Sequence, residues 1–153
     1  MSYADKLENF LKGINDYITL KNLTPTKFNP EFAIAETFTI EQMGKLTREE
    51  CFDYAFMLYQ YADHVASERA NCETIVRWCE SNLNFVIAGE IQNMAGEYLK
   101  HDIKVATIVR EHELARKINE WKLTAQGRLE PLKGREYNIR KKAEILTEKG
   151  KRK

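Results

Sequence analysis

From Ala55 to Val86 the chain marks out one helical stripe at alternating steps of three and four. Nine of its ten positions are apolar: Ala55, Leu58, Ala62, Val65, Cys72, Val76, Cys79, Leu83 and Val86, with Arg69 the exception. This alternation averages 3.5 residues, close to one helical turn, so the stripe lies along a single face and must be covered by another helix. Thr47 and Glu50 stand just ahead of it in capping-box spacing, where hydroxyl and carboxylate reciprocally satisfy the first free amides of a helix. A long helix is therefore predicted to start there. Only seven Gly and three Pro punctuate 153 residues, too few for the many turns of an all-β architecture. The fold class predicted is all-α: long amphipathic helices packed as a helical hairpin or coiled-coil-like bundle, and oligomeric.

The remaining segments fit around this arm. Residues 2–21 place Tyr3, Leu7, Phe10, Leu11, Ile14, Tyr17 and Ile18 at helical steps, with Ser2 as cap and Gly13 as a weak spot. Residues 22–46 hold Pro25, Pro30 and the β-branched and aromatic run from Phe32 to Ile40. They predict a connector with a short strand or extended stretch, closed by a helical turn over Glu41 to Leu46. The domain boundary is placed there, giving a 1–46 helix and connector and a 47–153 region for oligomerisation and nucleic-acid binding. Gly89 and Gly96 fit a turn, a bend or a weak helical stretch. A second helix is predicted from Asp102 to Glu130 with Ile103, Val109, Leu114, Ile118, Trp121 and Ala125 buried. Pro131 ends or kinks it, and a last helix buries Leu132, Ile139, Ala143 and Leu146 ahead of a disordered GKRK tail. The apolar stripes are expected to pair copies of the chain, through Leu58, Val65, Val76, Leu83, Ile118 and Trp121.

The opening MSYADKLENF lacks a cationic leader with an apolar core, and no window approaches the roughly 18 apolar residues of a membrane helix, so a cytoplasmic location is expected. Three cysteines, Cys51, Cys72 and Cys79, read as small core residues of a reducing compartment. The formal charge of +1 conceals a polarity: residues 101–153 carry 15 basic and 8 acidic side chains, whereas residues 1–100 carry 9 and 15. Such segregation suits contact with a polyanion or pairing with the chain's own acidic region.

No Walker loop, dinucleotide fingerprint or Cys-x-x-Cys pair is present, so neither an enzyme nor a cofactor is expected. His64, His101 and His112 read as polar helix-surface residues; Glu97 with His101 supplies only two ligands where a metal site needs more. The C-terminal segment PLKGREYNIRKKAEILTEKGKRK is more informative, with nine basic and three acidic side chains and Tyr137 between Arg135 and Arg140. Cations release counterions from phosphates, and an aromatic ring can stack a splayed base, a combination suited to single strands. A solvated helix face with a frayed tail is the plainer reading. Trp78 and Trp121, each in an apolar register, read as core anchors.

The arm YAFMLYQYADHVASERANCETIVRWCESNL (Tyr54 to Leu83), the helix opening near Asp102 and the ending REYNIRKKAEIL (Arg135 to Leu146) together resemble the phage recombination mediator family, UvsY. The resemblance covers about two thirds of the chain, from Thr47 onward. It implies a helical protein that closes into rings, binds single-stranded DNA and helps load a RecA-like recombinase onto strands covered by single-stranded DNA-binding protein. If the chain is phage-encoded, the compartment is the host cytoplasm. Where the family carries a lysine- and arginine-rich motif in the first arm, this sequence reads VRWCESNL, with Arg77 alone basic. The expected nucleic-acid contacts are therefore Arg77, Lys133, Arg135, Tyr137, Arg140, Lys141 and Lys142. The alternative of another class is a helical structural or adaptor protein, such as a phage assembly or host-takeover factor, whose basic end binds an acidic protein.

Overall fold

The computed structural model describes residues 3–20, 26–94 and 100–153, leaving aside the side chains of Tyr3, Ala4 and Leu7. Ser2, Lys21, Pro25, Gly96 and Glu97 lie outside the described residues. The described residues form, in order, α1 (Tyr3–Leu20), α2 (Phe32–Glu36), α3 (Ile40–Lys45), α4 (Arg48–Asn93), α5 (His101–Glu111) and α6 (Glu113–Lys151). Among the described residues there is no strand, and the fold is all-α. Among the described residues no helix is long and apolar enough to cross a membrane.

The start of α4 is where the capping box puts it. Thr47 Oγ1 accepts from the Glu50 amide at 3.1 Å, and Glu50 Oε1 accepts from the Thr47 amide at 3.0 Å. These bonds hold the Glu50 carboxyl below its ordinary range. Thr39 and Gln42 form the same reciprocal pair at the start of α3.

The chain divides into two compact units, one of Met1–Leu23 and Asn71–Leu129, the other of Thr24–Ala70 and Glu130–Lys153. These units are divided differently from a boundary at residue 46: each long helix contributes to both, and the connector belongs with the start of α4. In the second unit α4 runs against the end of α6. Ala55, Leu58, Ala62 and Val65 bury against Ile139, Ala143 and Leu146, with Phe32 and Ala35 of α2 closing the side. Many of these residues are small, which brings the helix backbones close. A Cβ on Gly150 would stand 2.9 Å from Phe52 Cε1 and 3.1 Å from Cys51 Cβ. In the first unit Cys79, Leu83 and Ile87 of α4 pack with Phe10 and Ile14 of α1, Ile108 of α5, and Ala115 and Ile118 of α6.

Several expectations are overturned for identifiable reasons. The run from Phe32 to Ile40 forms α2 and the start of α3, not a strand. Asn29 Oδ1 accepts from the Glu31 amide at 3.0 Å, the Asn29 carbonyl receives the Phe32 amide at 3.1 Å, and Phe32 and Ala35 then bury at a helical step. Local start chemistry and burial outweigh β-propensity here. Pro131 sits inside α6 without ending it; the missing amide deletes one hydrogen bond of a helix whose packing continues on both sides. The break falls earlier, at His112, whose Nδ1 accepts from the Ala115 amide at 3.2 Å and so caps α6. Its Nε2 lies 3.5 Å from Glu90. Ile103 is half exposed, and Ile108 takes the buried position on α5. Val76 and Val86 are only partly buried, with Ile87 taking the inner position one residue beyond Val86.

The terminal residues are ordered by polar contact. Helix α6 reaches Lys151, and the Lys153 ammonium donates to the carbonyls of Met43 at 3.0 Å, Gly44 at 3.2 Å and Leu46. A cation over the carbonyl end of α3 is favoured by the helix dipole as well as by hydrogen bonding.

None of the three cysteines is in a disulfide, and all are buried. Burial pushes the Cys79 thiol up to about 11, so almost no thiolate forms at neutral pH. A thiol reagent such as Ellman's should accordingly label the native chain only at the rate of unfolding. Prompt labelling of any cysteine would contradict this packing.

Candidate nucleic-acid interface

Within the second unit, the exposed side of α6 carries Lys133, Tyr137 and Lys141 at four-residue steps, which aligns them in one stripe. Tyr137 is 62% exposed, and the Lys141 ammonium lies 5.5 Å from its ring centroid. Lys141 also meets Glu144 at 3.3 Å, a hydrogen bond that raises its pKa. Both partners of that pair are about half exposed, so it contributes little and can be exchanged for a phosphate. Lys133 and Lys142 are exposed and have no ion pair among the described residues.

Two of the expected contacts have other employment. Arg135 grips Glu36 of α2 with both terminal nitrogens, one at 3.0 Å, and its guanidinium lies 5.4 Å from the Tyr61 ring centroid. The hydrogen bonds to Glu36 raise its pKa further, with Tyr61 adding to the effect. Arg140 donates to Asp63 of α4 at 2.9 Å and to Glu136 at 3.3 Å, with the same upward effect. Arg69, the one polar interruption of the α4 stripe, reaches Glu136 at 3.3 Å. Glu136 thus sits between two guanidiniums, while Arg69 Nε is buried without a partner. Part of the segregated charge is therefore matched inside the chain. Asp63, Glu136, Arg69 and Arg140 fix the register of α4 on α6, while Arg135 ties α2 down.

Around Tyr61 an aromatic cluster completes this anchoring. Phe32 stacks on Tyr61 at 3.7 Å between centroids, Phe28 meets both edge-on, and His64 lies against Phe28. His64 Nδ1 is 2.7 Å from the Thr26 carbonyl, so it fastens the connector. His101 is exposed. Among the described residues no group of three His, Cys, Asp or Glu side chains is placed to hold a metal ion.

Arg77 lies in the first unit, exposed on α4 beside the half-buried Trp78. The residues expected to join copies are occupied within the chain: Leu58 and Val65 in the second unit, Leu83 and Ile118 in the first, all at most 5% exposed. Trp121 stacks on Phe10 at 5.4 Å, and Val76 is half-buried. A side chain enclosed by its own fold cannot cover a second copy, which removes Leu58, Val65, Leu83 and Ile118 from that role and leaves Val76 and Trp121 only partly covered. The apolar side chains left outside include Phe56 at 65% and Phe85 at 82% exposure, which helical spacing gave no reason to single out.

The fold and this surface define an all-α chain whose exposed cationic stripe is built on a helix packed and ion-paired on its other side. Comparison with protein-family models, with characterised proteins and with solved structures finds no match for the chain.

Proposed function

We propose that this chain is a non-catalytic, self-associating protein that binds single-stranded DNA along Lys133, Tyr137, Lys141 and Lys142 of α6. Following the resemblance to recombination mediators, its role is to gather strands covered by single-stranded DNA-binding protein and promote loading of a RecA-like recombinase. The observation that carries the reading is the exposed Tyr137 flanked by lysines at helical steps, next to arginines that are satisfied elsewhere. A phosphate chain tracking the lysines would bring its bases over the tyrosine ring. Self-association would use exposed apolar side chains such as Phe56 and Phe85, and several copies would multiply the grip of one weak stripe.

Anisotropy of a labelled single strand of about 16 nucleotides, titrated with the whole chain at two salt concentrations, tests this. The expected result is binding that weakens steeply with salt, favours the single strand over the duplex, and occurs on a complex whose mass exceeds one chain. Absence of binding at physiological salt would overturn it. Ile145, half exposed beside Lys141 and Lys142, would then favour the adaptor reading, with an acidic and partly apolar protein as partner.

A further inference from the structure

Trp78 is not simply a core anchor. Its ring carbon Cη2 comes within 3.1 Å of where a Cβ on Gly13 would stand, so the bare Gly13 lets the indole lie against α1. Phe10 meets it edge-on at 6.1 Å. One turn beyond Gly13 on α1, Tyr17 adds a second ring at 6.0 Å and 63° to the indole. Tyr17, Trp78, Thr74, Arg77, Ser81 and Asn82 line an open cavity of about 390 Å³ on the first unit. That volume is in the range of small-molecule sites, and this one combines flat rings with a few polar groups.

Its polar lining is specific. Asn82 donates its Nδ2 to the Trp78 carbonyl at 2.9 Å, which fixes the amide and leaves its Oδ1 as an acceptor. Ser81 is exposed and can donate or accept. Arg77, exposed at the rim, has no ion pair among the described residues. A ligand suited to this lining has an aromatic face, ring-edge hydrogen-bonding groups and an attached anion. We propose that the cavity takes one unstacked base of a DNA single strand, with the base against Trp78 and Tyr17, its edge toward Asn82 and Ser81, and the adjoining phosphate on Arg77. This rests on the single-strand reading above and gives it a second contact, on a different unit from the α6 stripe.

The test pairs tryptophan fluorescence with anisotropy on the full chain, using an unmodified oligothymidylate in the first and its labelled counterpart in the second. Stacking on Trp78 should quench the emission of the wild type, and Trp78→Phe should abolish the quenching while the strand still binds. Arg77→Ala, a surface change that leaves the core intact, should weaken binding several-fold and flatten the salt slope by about 0.7. Quenching that persists in Trp78→Phe, or anisotropy that reports binding with no quenching in the wild type, would overturn the cavity assignment and leave the α6 stripe standing. A strand that produces neither signal would overturn both.

Discussion

Leu58→Ala is expected to lower the unfolding free energy by about 2–5 kcal/mol, because the side chain is fully enclosed and its removal leaves a cavity that the surrounding helices fill only in part. For a chain of this size that is a fall in Tm of about 4–20 °C. Phe56→Ala, on the same helix but 65% exposed, should shift stability by no more than about 0.5 kcal/mol in the isolated chain. The contrast decides where the apolar stripe does its work. If Leu58 lies in the chain's own core, Leu58→Ala destabilises equally at every protein concentration and leaves the mass of any assembly unaltered while folded. If it glued copies together, the variant would dissociate instead. Thermal denaturation at two protein concentrations, combined with mass measurement in solution, separates these outcomes.

The second large effect concerns the charge on α6. Replacing Lys133, Lys141 and Lys142 by alanine would remove three of the proposed phosphate contacts, which for single strands should flatten the slope of log K against log salt by about 2. Between roughly 50 and 200 mM salt, the triple variant should then lose about 20-fold less affinity than the wild type. Arg135→Ala and Arg140→Ala should behave differently, each lowering stability by about 1 kcal/mol and leaving the slope unchanged. Their guanidiniums already belong to Glu36, and to Asp63 and Glu136. If the arginine variants flattened the slope and the lysine variant did not, the division of labour along α6 would be reversed.

The parts of this fold that were legible in the sequence are those written within a few residues. Thr47 and Glu50 announce the start of α4 because a capping box is a local device, and the buried faces of Ala55 to Val65 and of Ile139 to Leu146 follow from helical period alone. The Phe32–Ile40 run misled because β-branched and aromatic residues favour strands only when a sheet is present to receive them. Most of the candidate site was visible as a basic segment with one aromatic, but its sorting was not. Arg135 finds Glu36 across 99 residues and Arg140 finds Asp63 across 77, and no local spacing encodes such partners. The seven-residue register does offer a hint in retrospect. Arg69 interrupts an apolar seam, and a partly shielded guanidinium there calls for a carboxylate, which Glu136 supplies at 3.3 Å. Trp78 could be read either way, since the same indole packs on Phe10 and lines a cavity.

Photo-crosslinking a bromodeoxyuridine single strand to the whole chain, followed by mass spectrometry of the peptides, tests the central claim most directly. An adduct on Tyr137 is the expected result, because its ring stands exposed among the lysines that would hold the phosphates. A strand that binds the chain but leaves the Tyr137 peptide unmodified would contradict the account.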